Sequence, residues 1–207
     1  MAVDANCPSM LQAFRDGDDI HGRTMFDMWG IKEGDLPDNE YEDKRRLAKA
    51  LGFGIIFMIT AHGFHKQNKQ IPVEEADGYI QDWFIARPEV ANKIDEQRRE
   101  LFKDGCVRSM TGHIRWVNGV YAADHESREG AVRKAVNMPV QNTAATMIKI
   151  AMVRIARRLK KEGYRARMLL QVHDELVFET PKSELESLEA MVKHEMENAY
   201  SIGIPTP

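Results

Sequence analysis

The sequence predicts an α+β chain that is mostly helical and carries one antiparallel β-hairpin near its end. Three observations lead there. Long stretches place apolar residues at three- and four-residue spacing, the pattern of helices with one buried face. Two short apolar runs, Met168-Leu169-Leu170-Gln171-Val172 and Leu176-Val177-Phe178-Glu179, flank the polar insert His173-Asp174-Glu175 and read as a hairpin. From Cys106 to Trp116, around Gly112, the helical period lapses into strands or irregular loop.

Taken in order, Met10, Leu11 and Phe14 mark a first short helix, and the polar stretch Arg15 to Asp19 separates it from a second that ends at Trp29-Gly30. Pro37-Asp38-Asn39 introduces a long helix. Asn39 followed three residues later by Glu42 is a capping-box spacing, and the pattern continues to about Thr60. Helix is expected again from Pro72 to about Gly105 with a break at Pro88, and once more from near Arg128. Asn137-Met138-Pro139 should interrupt that helix, because proline lacks the amide donor. Beyond it Val140, Ala144, Met147, Ile148, Ala151, Met152, Ile155 and Leu159 form one apolar face, closed by Lys160, Lys161 and Gly163. After the hairpin a last helix, about Ser183 to Tyr200, leads to Pro205-Thr206-Pro207.

A chain of 207 residues holds one substantial core or two small ones. Net charge is −3, and the pI near 6.2 does not mark the whole chain as a nucleic-acid binder, so any polyanion site must be local. Arg45/Arg46/Lys49, Arg128/Arg133/Lys134 and Arg154 to Lys161 are the basic clusters. Cys7 and Cys106 form no CxxC pair, which points away from a disulfide framework and from a zinc site, and toward a reducing cytoplasm. No apolar run reaches membrane-helix length, and Met1 is followed by Asp4 and Pro8 rather than by a basic, then apolar, leader; the chain reads as soluble and untargeted.

In the long helix Arg45, Lys49, Phe53 and Phe57 recur every four residues and share one face, while Leu47, Leu51, Ile55 and Ile59 lie roughly opposite. Two cations one turn apart repel mildly unless an anion answers them, and a triphosphate would do so. The aromatic turn beyond offers a surface on which a base can stack. Gly52 and Gly54 weaken the helix but admit bulk close to the backbone. On spacing alone the row reads rather as a solvated face ending in two packed aromatics. At the hairpin, Asp174-Glu175 is a poor turn pair, and carboxylates at such a tip suit Mg²⁺, which takes one or two of them and completes its shell with water and phosphate oxygens.

The string Arg45-Arg46-Leu47-Ala48-Lys49-Ala50-Leu51-Gly52-Phe53-Gly54-Ile55-Ile56-Phe57 resembles motif B of family A DNA polymerases, the bacterial DNA polymerase I type. Leu170-Gln171-Val172-His173-Asp174-Glu175-Leu176-Val177-Phe178-Glu179 looks like motif C of the same family. Asp19-Ile20-His21 resembles the segment after motif A, and Arg133, Asn137 and Gln141 resemble the polar row that reads the minor groove. The likeness runs from about Met1 to Pro207. It implies a fingers subdomain over residues 1–132 and a partial palm over 133–207.

The implied reaction is template-directed transfer of a deoxynucleotide to a primer 3′-hydroxyl, in replication or repair, with a two-metal Mg²⁺ site. Asp174 would ligate metal with Glu175 in support, and Lys49 would act as an acid toward pyrophosphate. His21, Arg45, Lys49, Phe53 and Phe57 would hold the deoxynucleoside triphosphate; Arg133, Asn137, Gln141, His173 and Arg115 would touch primer–template DNA. The location implied is a bacterial or infected-host cytoplasm. The first catalytic aspartate of the family, in motif A, has no counterpart here, nor has the thumb, the exonuclease-like domain or the closing β-strand. The chain is therefore expected to be a fragment, Met1 matching an internal methionine, or else a split subunit or non-catalytic remnant whose partner chain supplies motif A and thumb. Phe57 stands where the family usually has tyrosine, Met58 and Asn142 where it has glycine, and Gly112-His113-Ile114-Arg115 where it is richer in arginine. Phe53 is the form associated with rejecting chain terminators.

Overall fold

The computed structural model describes residues 1–204; Pro205-Thr206-Pro207 lies outside the described residues. It is α+β. Six helices come first: α1 (Pro8–Asp16), α2 (Ile20–Trp29), α3 (Asp38–Ile56), α4 (Ala61–Gln67), α5 (Val73–Ala86) and α6 (Pro88–Asp104). A small antiparallel ladder follows, β1 (Cys106–Arg108) with β2 (Ile114–Trp116), Val107 facing Arg115. After a 3-10 turn at Asn118–Tyr121 come α7 (His125–Glu162), the hairpin β3 (Arg167–Val172) and β4 (Glu175–Glu179), a 3-10 turn at Lys182–Glu184, and α8 (Leu185–Glu197). The chain divides into two compact units, Met1–Val140 and a second that starts at Gln141.

In the first unit α2 packs against α1, α3 and α5, and α4 packs against α5. Their apolar stripes bury Met25, Leu51, Ile55, Phe64, Trp83 and Leu101. One cation is buried with them. Arg87 has no exposed surface; its Nη2 donates to Asp27 Oδ2 at 2.9 Å and to Thr24 Oγ1 at 3.1 Å, and its guanidinium lies 4.9 Å from the Trp83 ring centre. A buried charge survives only when answered this way.

In the second unit Ile155 and Leu159 of α7 meet Leu188 and Met191 of α8, with Met168, Leu176 and Phe178 of the hairpin packed on them. The ladder skips Leu169, so that Met168 faces Phe178 whereas Leu170 faces Val177. That one-residue bulge moves Leu170 off the face it would otherwise share with Met168.

Four local expectations need correction. Helix α3 starts at Asp38 with Pro37 as its N-cap and no side-chain cap, so Asn39 and Glu42 form no capping box. Pro37, with φ fixed at −55°, sets the entry, and Asp38 and Glu40 favour the positive helix end. The same helix stops at Ile56, and Thr60 instead begins α4, its side chain accepting from Gly63 N at 3.1 Å. Helix α7 continues through Asn137-Met138-Pro139, whose surroundings are buried. Finally, the hairpin turn is His173-Asp174, with Glu175 already in β4 opposite Val172.

Candidate nucleotide-binding face and acidic hairpin

Helix α3 carries the predicted row. Arg45 is half-buried and Lys49 exposed, while Phe53 and Phe57 each keep 51% of their surface in solvent. Phe57 is the helix C-cap rather than a further turn. Beside the row lies the start of α2, where Asp19 is the N-cap and accepts from His21 N at 3.2 Å and Gly22 N at 3.0 Å. The same carboxylate accepts from Arg45 Nε at 2.6 Å. The His21 ring stands 6.0 Å from the Phe53 ring at an interplanar angle of 48°. A Cβ on Gly22 would come within 3.2 Å of Asp19 Oδ2 and 3.3 Å of Tyr41 Oη, so a glycine leaves room for this crossing.

Charge follows the geometry. Burial pushes the His21 imidazole below its ordinary range; Arg45 and Lys49 push the same way against Asp19. For Asp19, burial would raise the carboxyl, but hydrogen bonds from Arg45, His21 and Gly22 and the Arg45 charge hold it below the carboxylate range. The hydrogen bond to Asp19 raises Arg45 further. Among the described residues Lys49 has no ion-pair partner. Two basic side chains, an imidazole pushed below its ordinary range and an exposed ring therefore share one surface. It suits an anion joined to a flat ring.

At the aromatic end, Phe53, Phe57, Met58, Thr60 and Arg133 line an open cleft of about 580 Å³. A second cavity of about 380 Å³ shares Met58, Ile59, Thr60 and Arg133. The structure thus brings Arg133 of α7 to the end of α3. It does not present Asn137, which is 6% exposed and whose Oδ1 has no hydrogen-bond partner among the described residues. Arg115 is exposed on β2, and Gln141 on α7. Gly52 has open space over its α-carbon, whereas over Gly54 a Cβ would meet Ile59 Cγ2 at 2.8 Å. The bulk admitted by Gly54 is the chain's own Ile59.

His173, Asp174 and Glu175 are exposed in the second unit. His173, the first turn residue, has φ 54°, as the first position of a primed two-residue turn requires, and its carbonyl accepts from Gln171 Nε2 at 2.8 Å. Among the described residues no three metal-ligating side chains converge. Asp174 and Glu175 fit the smaller demand of Mg²⁺ for one or two carboxylates, with water and substrate phosphate supplying the rest. Asp19 is the residue that sequence reasoning left without a role of its own. Its signal was an acidic residue directly before a helical segment, an N-cap pattern.

One unit carries a cationic-aromatic helix face and the other an acidic hairpin. Residues 1–207 match the family model of DNA polymerase family A, and the chain belongs to that family. It is 38% identical over 196 residues to DNA polymerase I of Streptococcus pneumoniae, covering 95% of this chain and 22% of the relative. It is 39% identical over 197 residues to the thermostable DNA polymerase I of Thermus thermophilus, covering 95% of this chain and 23% of the relative. A solved structure, the POL domain of Pol1 from M. smegmatis in complex with DNA primer-template and dNTP, is similar at TM-score 0.90 and 30% identity, over 100% of this chain and 35% of that one. The chain thus spans about a fifth of the length of the curated relatives it matches.

Proposed function

We propose that this chain is the triphosphate-binding and metal-binding part of a DNA-directed DNA polymerase, with fingers over residues 1–132 and part of the palm over 133–207. The observation that carries the reading is the convergence of His21, Arg45 and Phe53 beside Lys49, which has no ion-pair partner among the described residues. In the reaction a primer 3′-hydroxyl attacks the α-phosphate of a deoxynucleoside triphosphate and pyrophosphate leaves. Arg45, Lys49 and His21 hold the phosphates, Phe53 and Phe57 flank the nucleotide, and Lys49 delivers a proton to the departing pyrophosphate. Arg133, Asn137, Gln141, His173 and Arg115 face primer–template DNA, with Asn137 requiring a local opening to do so. Asp174 and Glu175 would hold Mg²⁺, which supplies charge neutralisation of the attacking and leaving oxygens. Phe53 favours deoxy over dideoxy nucleotides. The work belongs to replication or repair in the bacterial or infected-host cytoplasm. Among the described residues no helix is long and apolar enough to cross a membrane, and both cysteines are free and buried.

With one acidic pair present, extension needs further polypeptide that brings a second carboxylate, in the same chain or on a partner. Calorimetric titration of the 207-residue chain with dATP tests the phosphate face. Binding should weaken about tenfold in Lys49→Ala and in Arg45→Ala, and fall with added salt. The same protein with Mg²⁺ and a primed template should give no extension. Extension that disappears in Asp174→Ala would overturn the need for further polypeptide, and dATP binding indifferent to both α3 substitutions would overturn the phosphate face.

A further inference from the structure

A carboxylate beside a triphosphate site is electrostatically adverse, yet Asp19 sits there with its side chain 41% exposed. Its contacts explain what it does. One oxygen accepts from His21 N, the other from Gly22 N and, at 2.6 Å, from Arg45 Nε. A guanidinium has five N–H donors in a rigid fork. Asp19 takes the Nε donor, at the base of that fork, leaving both terminal nitrogens; Nη1 lies only at 3.9 Å from Glu42. A single carboxylate therefore ties the start of α2, which carries His21, to the middle of α3, which carries Arg45. Gly22 keeps that crossing open, since any Cβ there would press on Asp19 Oδ2 and Tyr41 Oη.

We propose that Asp19 is a positioning residue for triphosphate binding: it clamps Arg45 through Nε so that the terminal guanidinium nitrogens, and His21 on the same helix start, are held ready for phosphate oxygens. This rests on the reading of α3 as the phosphate face. The clamp makes a prediction opposite in sign to simple charge. Removing a negative group from a phosphate site should by Coulomb attraction tighten anion binding, whereas removing a clamp should weaken it.

The test is dATP binding to the 207-residue chain by calorimetry near 0.15 M salt, where the Debye length is about 8 Å and longer-range charge effects are damped. Asp19→Asn retains an N-cap as good as aspartate, so the thermal midpoint should stay close to that of the unaltered chain. Asp19→Ser, also a capping residue, serves as the second variant. Both should weaken dATP binding roughly five- to tenfold. In an Arg45→Ala background Asp19→Asn should cause no further loss, a coupling that a purely structural role would not produce. Unchanged or tighter binding in both Asp19 variants, or an equal loss with and without Arg45, overturns the clamp. Binding that responds to Lys49→Ala but not to Asp19→Asn leaves the phosphate face standing and removes only the clamp. No dATP binding by the unaltered chain removes both.

Discussion

His21 titrates nearest to neutral pH within the cationic group on α2 and α3. Its folded pKa lies below the ordinary 6.5, through burial first and then Arg45 and Lys49. Between the unfolded and the folded value the unfolded chain binds more protons, so this residue removes stability as pH falls below about 6.5. Thermal midpoints from pH 7 to pH 5 should therefore decline less in His21→Gln than in the unaltered chain. Asp19, whose folded pKa is depressed, acts in a separate and lower window: its contribution is present above its ordinary 3.8 and is lost as pH falls further. A bound phosphate would favour protonated His21, so dATP affinity should rise as pH drops from 7 to 6. The residue types of this face were legible in the sequence. Their partners were not, because Asp19 and Arg45 are 26 residues apart and meet only when α2 packs on α3.

At the scale of elements, the end of α3 is the most informative place. Ile59 N donates to Gly54 O at 2.9 Å and Met58 N to Ile55 O at 2.8 Å, the two bonds of a Schellman motif. Met58 fills its left-handed position at φ 54°, where glycine carries no steric cost. Met58→Gly should raise stability by about 1 kcal/mol, or about 2–4 °C in a chain of this size. Because Met58 lines both cavities beside Arg133, the same change should also enlarge that cleft. The proline in α7 teaches the reverse lesson. Pro139 removes one donor, but the helix is 38 residues long and Ala135, Val136 and Met138 beside it are buried. Burial of that face outweighs one absent hydrogen bond, so a proline that reads as a stop in sequence is passed through.

At the scale of the molecule, Arg87 and the hairpin mark where stability is concentrated and where it is thin. Asp27→Ala would leave the Arg87 guanidinium buried without its counter-charge, a change that costs about 3–5 kcal/mol and should appear as a large fall in the denaturation midpoint. The outer hairpin face is the opposite case. Leu169, Leu170, Val172 and Val177 are 55, 50, 45 and 40% exposed on a sheet that has two strands among the described residues. Such a face is prone to pair with another chain. Val177→Lys should keep the isolated 207-residue protein monomeric to higher concentration, measured by light scattering, with no loss of helical signal. The last helix and the apolar hairpin were visible in sequence. The Leu169 bulge was not, because register is set by which face the helices cover.

By itself the sequence determined the α+β class, the order of the hairpin and of every α-helix but α4, the cationic-aromatic row on α3 and the acidic tip. These are set by local period, by turn residues and by side-chain chemistry within a few residues, all of which a linear reading contains. Tertiary structure alone decided that Asp19 engages Arg45 and that Asn137 is buried while Arg133 borders the aromatic cleft. It also decided that α7 runs unbroken past Pro139. Each of those outcomes depends on burial or on an ion pair between elements distant in sequence, where the energy of packing exceeds that of any local preference.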